Sequence, residues 1–283
     1  MANLLSLKRR IQTAQNVSKT TKALQMIAAS KLKKAQEAAL MSRPYVEKLT
    51  VLSQNIAVKI DRENMHPYMK EAKGEKILTI VISPDKGLCG GLITNLIREI
   101  IVSDNKNRSF IVIGKKMEGA LGRLNKEIVA SFPFGITLPS FDIVYPILQL
   151  VDDYFFNKNT SKVNIVYTKF ISVFTQKAIT EDLLPIVLDD VNEQSKTAIF
   201  EPNVDDLLPD ILRHYLEISI YHSIAETYAS EQAARMVAMK NATDNANDVI
   251  SELRLEYNKG RQEKITNEIL DIGGATFALK EDE

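Results

Sequence analysis

The segment Ser83-Pro84-Asp85-Lys86-Gly87-Leu88-Cys89-Gly90-Gly91 is where the residue types first offer chemistry. It follows an apolar run, Lys76–Ile82, that reads as a buried strand, and α/β enzymes place phosphate-binding loops directly after such strands. The spacing does not fit that use. A Walker loop needs GxxxxGK followed by Ser or Thr, a dinucleotide loop needs GxGxxG, and the sequence contains neither. A tight turn whose glycines permit unusual dihedrals and close packing is the favoured reading, with Asp85, Gly87, Cys89 and Gly90 as its structural residues. Cys89 has no histidine nearby in sequence to act as a base, so a buried structural cysteine is preferred over a nucleophile.

Other clusters fare no better. Of the histidines His66, His214 and His222, the last two are eight residues apart and could share a helix face, but no carboxylate-rich metal spacing surrounds them. Asp244, Asp248, Glu252 and Glu256 recur at every fourth residue. With no matching acidic or histidine row on the N-terminal helix, a solvated or partner-facing stripe outweighs a two-metal centre. Residues 1–43 hold nine Lys and Arg against the single acid Glu37. Their cations are spread around a helix with an Ala-rich seam and no interleaved aromatics, which favours a protein-facing basic surface over nucleic-acid binding. No catalytic constellation, metal site or cofactor is expected.

The bulk composition agrees. The 283 residues are 45% apolar and 25% charged, enough for a core and against disorder. Lys plus Arg equals Asp plus Glu at 36 each, which argues against a protein that coats nucleic acid. A single cysteine excludes an internal disulfide framework and a thiolate zinc cluster. No apolar stretch is long enough to span a bilayer, and the N-terminus reads as neither signal nor transit peptide, so a soluble or peripherally attached protein is expected.

The elements that must position these residues divide sharply. Residues 1–43 lack Gly and Pro, residues 210–283 lack Pro, and nine of the ten Phe lie between Phe110 and Phe200. The simplest organisation is a globular domain between two long terminal helices. Leu4, Leu7, Ile11, Ala14, Ser18, Thr21, Gln25, Ala28, Leu32 and Ala35 open a seam of seven-residue period that continues to Ile56, with Pro44 as its weak point. Leu208, Ile211, Tyr215, Ile218, His222, Ala225, Ala229, Gln232, Met236, Met239, Thr243, Ala246, Ile250, Leu253 and Tyr257 form a second seam. That helix is expected to run from Leu208, with Pro209 in its first turn, to Ile272. At the usual rise the two would span roughly 80 and 95 Å. Neither is stable alone, and the nearest partner of each is the other, in an antiparallel coiled coil.

Between them, strands are expected at Lys76–Ile82, Phe110–Ile113, Glu127–Phe132 and Lys162–Phe170, with an edge strand at Lys177–Leu188. Helices are expected at Leu92–Val102, Lys115–Leu124 and Ile143–Phe156. The fold class is therefore α/β: a long antiparallel coiled coil of the N- and C-terminal helices plus a central three-layer α/β (Rossmann-like) domain. The expected divisions are 1–57 for the N-terminal helix, 58–75 linker, 76–190 central domain, 191–207 linker, and 208–283 for the C-terminal helix and tip.

Three blocks carry a resemblance. Gln15-Asn16-Val17-Ser18-Lys19-Thr20-Thr21-Lys22-Ala23-Leu24-Gln25-Met26-Ile27-Ala28-Ala29-Ser30-Lys31-Leu32, the Asp85–Gly90 turn, and the stretches Arg235–Ala246 and Leu255–Ile269 resemble the gamma subunit of the F-type ATP synthase, in that family's order. The chain departs from the family at the tip, where Ala275 occupies a glycine place and Phe277 is bulkier than usual. It departs also at Ile93, where asparagine is usual. The resemblance implies a non-catalytic shaft inside a ring of three alpha and three beta subunits, one copy per complex, with nucleotide turned over at the alpha–beta interfaces. It implies that the middle domain meets the epsilon subunit and the c-ring of the F0 sector, and that rotation of the proton-driven c-ring is passed to beta for ATP synthesis, reversibly. By the same resemblance, Leu24, Met26, Ile27 and Lys31 meet the moving lower parts of beta, and Arg261, Gln262 and Thr266 meet a catch loop of beta. Gly273, Gly274, Ala275 and Phe277 form the apical tip. A bacterial form is implied, peripheral on the cytoplasmic face of the inner or plasma membrane and attached only through F0.

Overall fold

The computed structural model describes residues 4–57, 66–70, 74–102, 107–137, 139–157, 160–186 and 204–281, with the side chains of 38–43, 46–47, 50–57, 204–206 and 273–281 outside the description. Helix α1 spans Leu4–Ala57 and the last helix, α5, spans Val204–Glu281. Between them lie β1 (Lys76–Ile82), α2 (Leu92–Val102), β2 (Arg108–Ile113), α3 (Lys115–Arg123), β3 (Glu127–Phe132), α4 (Val144–Asn157), β4 (Thr160–Phe170) and β5 (Gln176–Leu184). The contacts group Met1–Ile27 with Ala238–Glu283 as one unit and Ala28–Val237 as another.

In the first unit two helices pair antiparallel. Thr21 Oγ1 lies 2.7 Å from Thr243 Oγ1, Ser18 Oγ donates to Asn247 Oδ1 at 2.8 Å, and Leu4 packs at Gly260. As the number rises along α1 it falls in step along α5, so the register is kept. Leu7 is buried and Leu4, Ile11, Ala14, Ser18 and Thr21 are half-buried. Facing them, Met239, Thr243, Ile250 and Leu253 are buried. The heptad spacing thus does what it predicts in this unit.

The second unit is built on a five-stranded sheet of order β3-β2-β1-β4-β5, parallel except for β5, which returns antiparallel along β4. β1 is rich in Ile, Leu and Val because it is central and covered on both faces. One face packs on α2 and α3, through Leu92, Leu96, Ile100, Met117 and Leu121. The other packs on α4 and α5, through Ile147, Leu148, Val151, Leu212, Leu216 and Ile220. This is a three-layer α/β arrangement. Pro146 falls in the first turn of α4, where its missing amide costs no helical bond. Ala28, Leu32 and Ala35 of α1 are buried, Ala35 in one cluster with Ala229.

Besides one- and two-residue shifts at the ends of the central elements, three boundaries and one buried face differ from expectation. α5 begins at Val204, so Pro209 sits inside the helix rather than in its first turn, and the carbonyl of Asp205 receives no amide from it. α5 also runs through Gly273 and Gly274 to Glu281, since two glycines cost helix propensity without blocking it. β5 ends at Leu184, with Pro185 and Ile186 outside the strand and the expected residues 187 and 188 outside the described residues. Last, the face of α5 sunk in the sheet core is the every-fourth-residue ladder Leu208, Leu212, Leu216, Ile220 and Ile224, while the expected seam residues Ile211, Tyr215, Ile218 and His222 are only half-buried. A helix with two apolar stripes has two neighbours to satisfy.

A polar chain ties the outer elements of this unit together. Tyr45 of α1 lies 2.8 Å from His214 Nε2, whose Nδ1 is 3.3 Å from Glu217. Arg213 bridges Glu217 and Asp152 of α4, and the Tyr68 hydroxyl donates to Asp152 at 2.6 Å. Burial pushes the Tyr68 phenol and the Asp152 carboxyl up, with Arg213 pulling both back.

Candidate functional site

In open α/β sheets ligands bind outside the carboxyl ends of the strands, where the strand order reverses. Here that point lies between β1 and β4, and the loop Ser83–Gly91 leaves β1 at this place. Ser83 is buried; its hydroxyl donates to the Gly114 carbonyl and accepts from the Met117 amide at 3.2 Å each. The Asp85 carboxylate accepts three amides: Lys115 at 2.8 Å, Gly135 at 2.9 Å and Phe134 at 3.3 Å. It is the knot joining this turn to the N-terminus of α3 and to the loop after β3. A side chain so engaged with backbone holds these loops together.

The turn's left-handed positions are Leu88 (φ 65°) and Gly90 (φ 59°), not Gly87. Leu88 points outward and is 65% exposed, whereas Cys89 is buried and its thiol is pushed up by burial. That environment makes a thiolate costly and the sulfur inert.

The crevice itself is filled by α5, whose residues Ser223–Ala233 are all buried. Arg235 donates to the carbonyls of Lys86 (3.3 Å) and Gly87 (3.2 Å) and to Glu231 at 2.6 Å. Glu231 is buried, which raises its carboxyl above the ordinary range while Arg235 pulls it back. Tyr228 and the half-buried Lys31 both donate to the Ile136 carbonyl, at 3.3 and 2.7 Å. Thr227, Ser230 and Glu226 bond the end of β4. The ligand crevice of this fold type is occupied by the protein's own helix. Sequence reasoning missed these residues because a Ser, Thr and Glu stripe reads as a solvent face; the pair Glu231 and Arg235, four apart in an Ala- and Ser-rich run, was the available signal.

The remaining residues do not converge on a site. His214 and His222 each turn to a carboxylate on their own helix, Glu217 and Glu226. Asp244, Asp248, Glu252 and Glu256 are exposed, as are Lys8, Arg9, Arg10, Lys19, Lys22, Lys33 and Lys34. Leu24 is half-buried, and Met26 and Ile27 are exposed. Arg261, Gln262 and Thr266 lie on an exposed stretch of α5. Gly273, Gly274, Ala275 and Phe277 continue the helix, with their side chains outside the described residues. Among the described residues no His, Cys, Asp or Glu group has metal-holding geometry, and no helix is long and apolar enough to cross a membrane.

Long paired helices, together with an α/β domain whose ligand crevice is plugged, define a structural class of protein. The family model described as ATP synthase matches residues 3–279. The chain is 42% identical over 284 residues to an ATP synthase gamma chain from Dehalococcoides mccartyi, covering 99% of this chain and all of that one. To an ATP synthase gamma chain from Legionella pneumophila it is 37% identical over 291 residues, again 99% of this chain and all of the relative. This chain belongs to the ATP synthase gamma-chain family, whose members are non-catalytic rotor subunits of the F1F0 complex. Its fold is shared with a chain of the Euglena gracilis mitochondrial ATP synthase (TM-score 0.71, 20% identity, 97% of this chain and 94% of that one). It is shared also with a chain of the Tetrahymena thermophila mitochondrial ATP synthase central stalk and c-ring (TM-score 0.60, 24% identity, 79% and 99%).

Proposed function

We propose that this chain is the central shaft of a bacterial F1F0 ATP synthase, coupling c-ring rotation to ATP synthesis at the beta subunits and running in reverse as a proton pump. The observation that carries this reading is the exposed stretch of α5 from Arg261 to Ile272. Ile269 and Leu270 are 64 and 65% exposed, so among the described residues an apolar stripe persists there without cover. Such a stripe needs an enclosure from outside. Three alpha and three beta subunits provide it, with Arg261, Gln262 and Thr266 meeting beta and Gly273, Gly274, Ala275 and Phe277 at the tip. Leu24, Met26, Ile27 and Lys31 meet beta lower down, and two of them, Met26 and Ile27, are apolar side chains already turned outward.

The central region, proposed as 76–190 between linkers at 58–75 and 191–207, meets epsilon and the c-ring. The assembly sits peripherally on the cytoplasmic face of the bacterial membrane, held there by F0. Rotation alters which face of a lopsided helix pair each beta subunit meets and so which beta conformation is favoured.

Co-purification from cells bearing a tagged copy tests this reading. One copy of the chain with three alpha and three beta is expected, together with no ATP turnover by the chain alone. Robust turnover by the isolated chain, or salt-sensitive nucleic-acid binding in place of the hexamer, would overturn it.

A further inference from the structure

β4 outruns β1. Val166 is the last β4 residue registered on β1, opposite Val81, while β5 stays paired to β4 as far as Phe170. On the side that β1 has left, α5 completes the ladder with side chains in place of backbone. Thr227 Oγ1 accepts from the Thr168 amide at 3.3 Å, Ser230 Oγ donates to the Thr168 carbonyl at 2.9 Å, and Glu226 Oε2 accepts from the Phe170 amide at 2.7 Å. All three side chains are buried, and their spacing places them on one face of a single turn.

A buried carboxylate and two buried hydroxyls are a costly way to hold a helix against a sheet, because each must be fully bonded to be tolerated. Just before this turn the same helix does the job with Leu212, Leu216, Ile220 and Ile224. What the polar turn adds is direction. Apolar contact is non-directional and resists separation more than rolling. Hydrogen bonds weaken steeply once donor and acceptor are misaligned, so bonds from a strand's backbone oppose rotation of the helix against that strand.

We propose that Glu226, Thr227 and Ser230 act as a torsional key that makes the sheet and α5 turn as one body. The proposal rests on the rotor reading above, in which drive enters at the α/β domain and leaves along α5. Its place in the fold suits the task, because β4 lies between β1 and β5 and is anchored on both sides below the key.

The test uses the complete complex in sealed vesicles, with two triple variants. Glu226→Met, Thr227→Val and Ser230→Ala remove all three bonds at similar volume. Glu226→Gln, Thr227→Ser and Ser230→Thr keep an oxygen at every position. The readouts are amide hydrogen exchange at Thr168 and Phe170, and protons pumped per ATP hydrolysed against an imposed opposing gradient. In the apolar set, exchange at these amides should quicken about two- to tenfold for each bond removed. Pumping per ATP against the gradient should fall, ATP hydrolysis without a gradient should persist, and the oxygen-keeping set should match the parent. If the apolar set exchanges faster yet pumps like the parent against the gradient, the bonds are packing only and the key is overturned. Should that set fail to assemble, Thr227→Val alone is measured in the same way: faster exchange with weakened pumping supports the key, and faster exchange with parental pumping overturns it. A parent complex that hydrolyses ATP and never pumps would defeat the rotor reading itself, an outcome separable from loss in the variant alone.

Discussion

Glu231 and Arg235 meet at 2.6 Å with side chains only 6 and 14% exposed, and among the described residues the second carboxylate oxygen of Glu231 has no hydrogen-bond partner. The pair is one turn of α5 folded onto itself, with Arg235 reaching on to the Lys86 and Gly87 carbonyls. Truncating one partner of such a pair leaves a buried charge uncompensated. Glu231→Ala should therefore lower the unfolding free energy by about 3 kcal/mol, measured by urea denaturation.

The same carboxylate gives a pH signature. Burial raises its folded-state value above the ordinary 4.5, against the partial opposition of Arg235; Asp85 adds to the rise and Lys31 subtracts from it. The native state then holds this proton more tightly than the unfolded chain does. Its contribution to stability is complete below 4.5 and is lost as pH rises through the raised value. Urea midpoints taken from about pH 4.5 to 7 should decline more in the parent than in Glu231→Gln. Parallel curves for the two proteins would place the carboxylate in an environment no different from water.

Gly114 should tolerate no side chain. Its φ is 107°, and a methyl group there would lie 1.9 Å from the Ser83 carbonyl oxygen, which is backbone and has nowhere to go. Gly114→Ala is expected to cost about 3 kcal/mol or more, or to abolish soluble expression. Gly119→Ala, at a helical position with open space around it, should instead be neutral or mildly stabilising by thermal melting.

Asp85 carries three amides, and its removal should loosen the N-terminus of α3 and the loop after β3 together. Asp85→Ala strands the Lys115, Phe134 and Gly135 amides, for an expected loss of about 2–4 kcal/mol. Hydrogen exchange should quicken at all three. Quickening at one of them alone would mean that the three contacts are independent and that Asp85 is not their common anchor.

Much of this architecture was legible in the sequence, and its gaps have physical causes. β1, α2 and β3 fall on their expected residues because each carries a clean period bounded by turn residues. The paired seam was legible from Leu4 to Thr21 for the same reason. The lower face of α5 was not. A seven-residue scan follows one stripe, and Leu208–Ile224 carries two, so the ladder that faces the sheet went unread. The filled crevice was illegible for a different reason. Ser223, Glu226, Thr227, Ser230 and Glu231 look solvated in any one-dimensional reading, and they become a core only once β4 outruns β1. Gly114 likewise signals nothing until Ser83 is placed against it.

Thr21 and Thr243 offer the sharpest test of the paired seam, since their hydroxyls lie 2.7 Å apart across it although 222 residues separate them in the chain. Each hydroxyl has one proton, and whichever does not donate across the seam can donate within its own helix, Thr21 to the carbonyl of Val17 or Ser18 and Thr243 to that of Met239. Either single change to Val thus leaves the other hydroxyl with a local partner, and each should cost little, about 1 kcal/mol. The cross-seam bond is what the two changes share, so the double variant should cost less than the two singles added, by about 0.5 kcal/mol or more. Chemical denaturation of the four proteins closes the cycle. Strict additivity would mean that the two hydroxyls do not interact, and with it the register that sets Ser18 on Asn247 and Leu4 at Gly260 would lose its support.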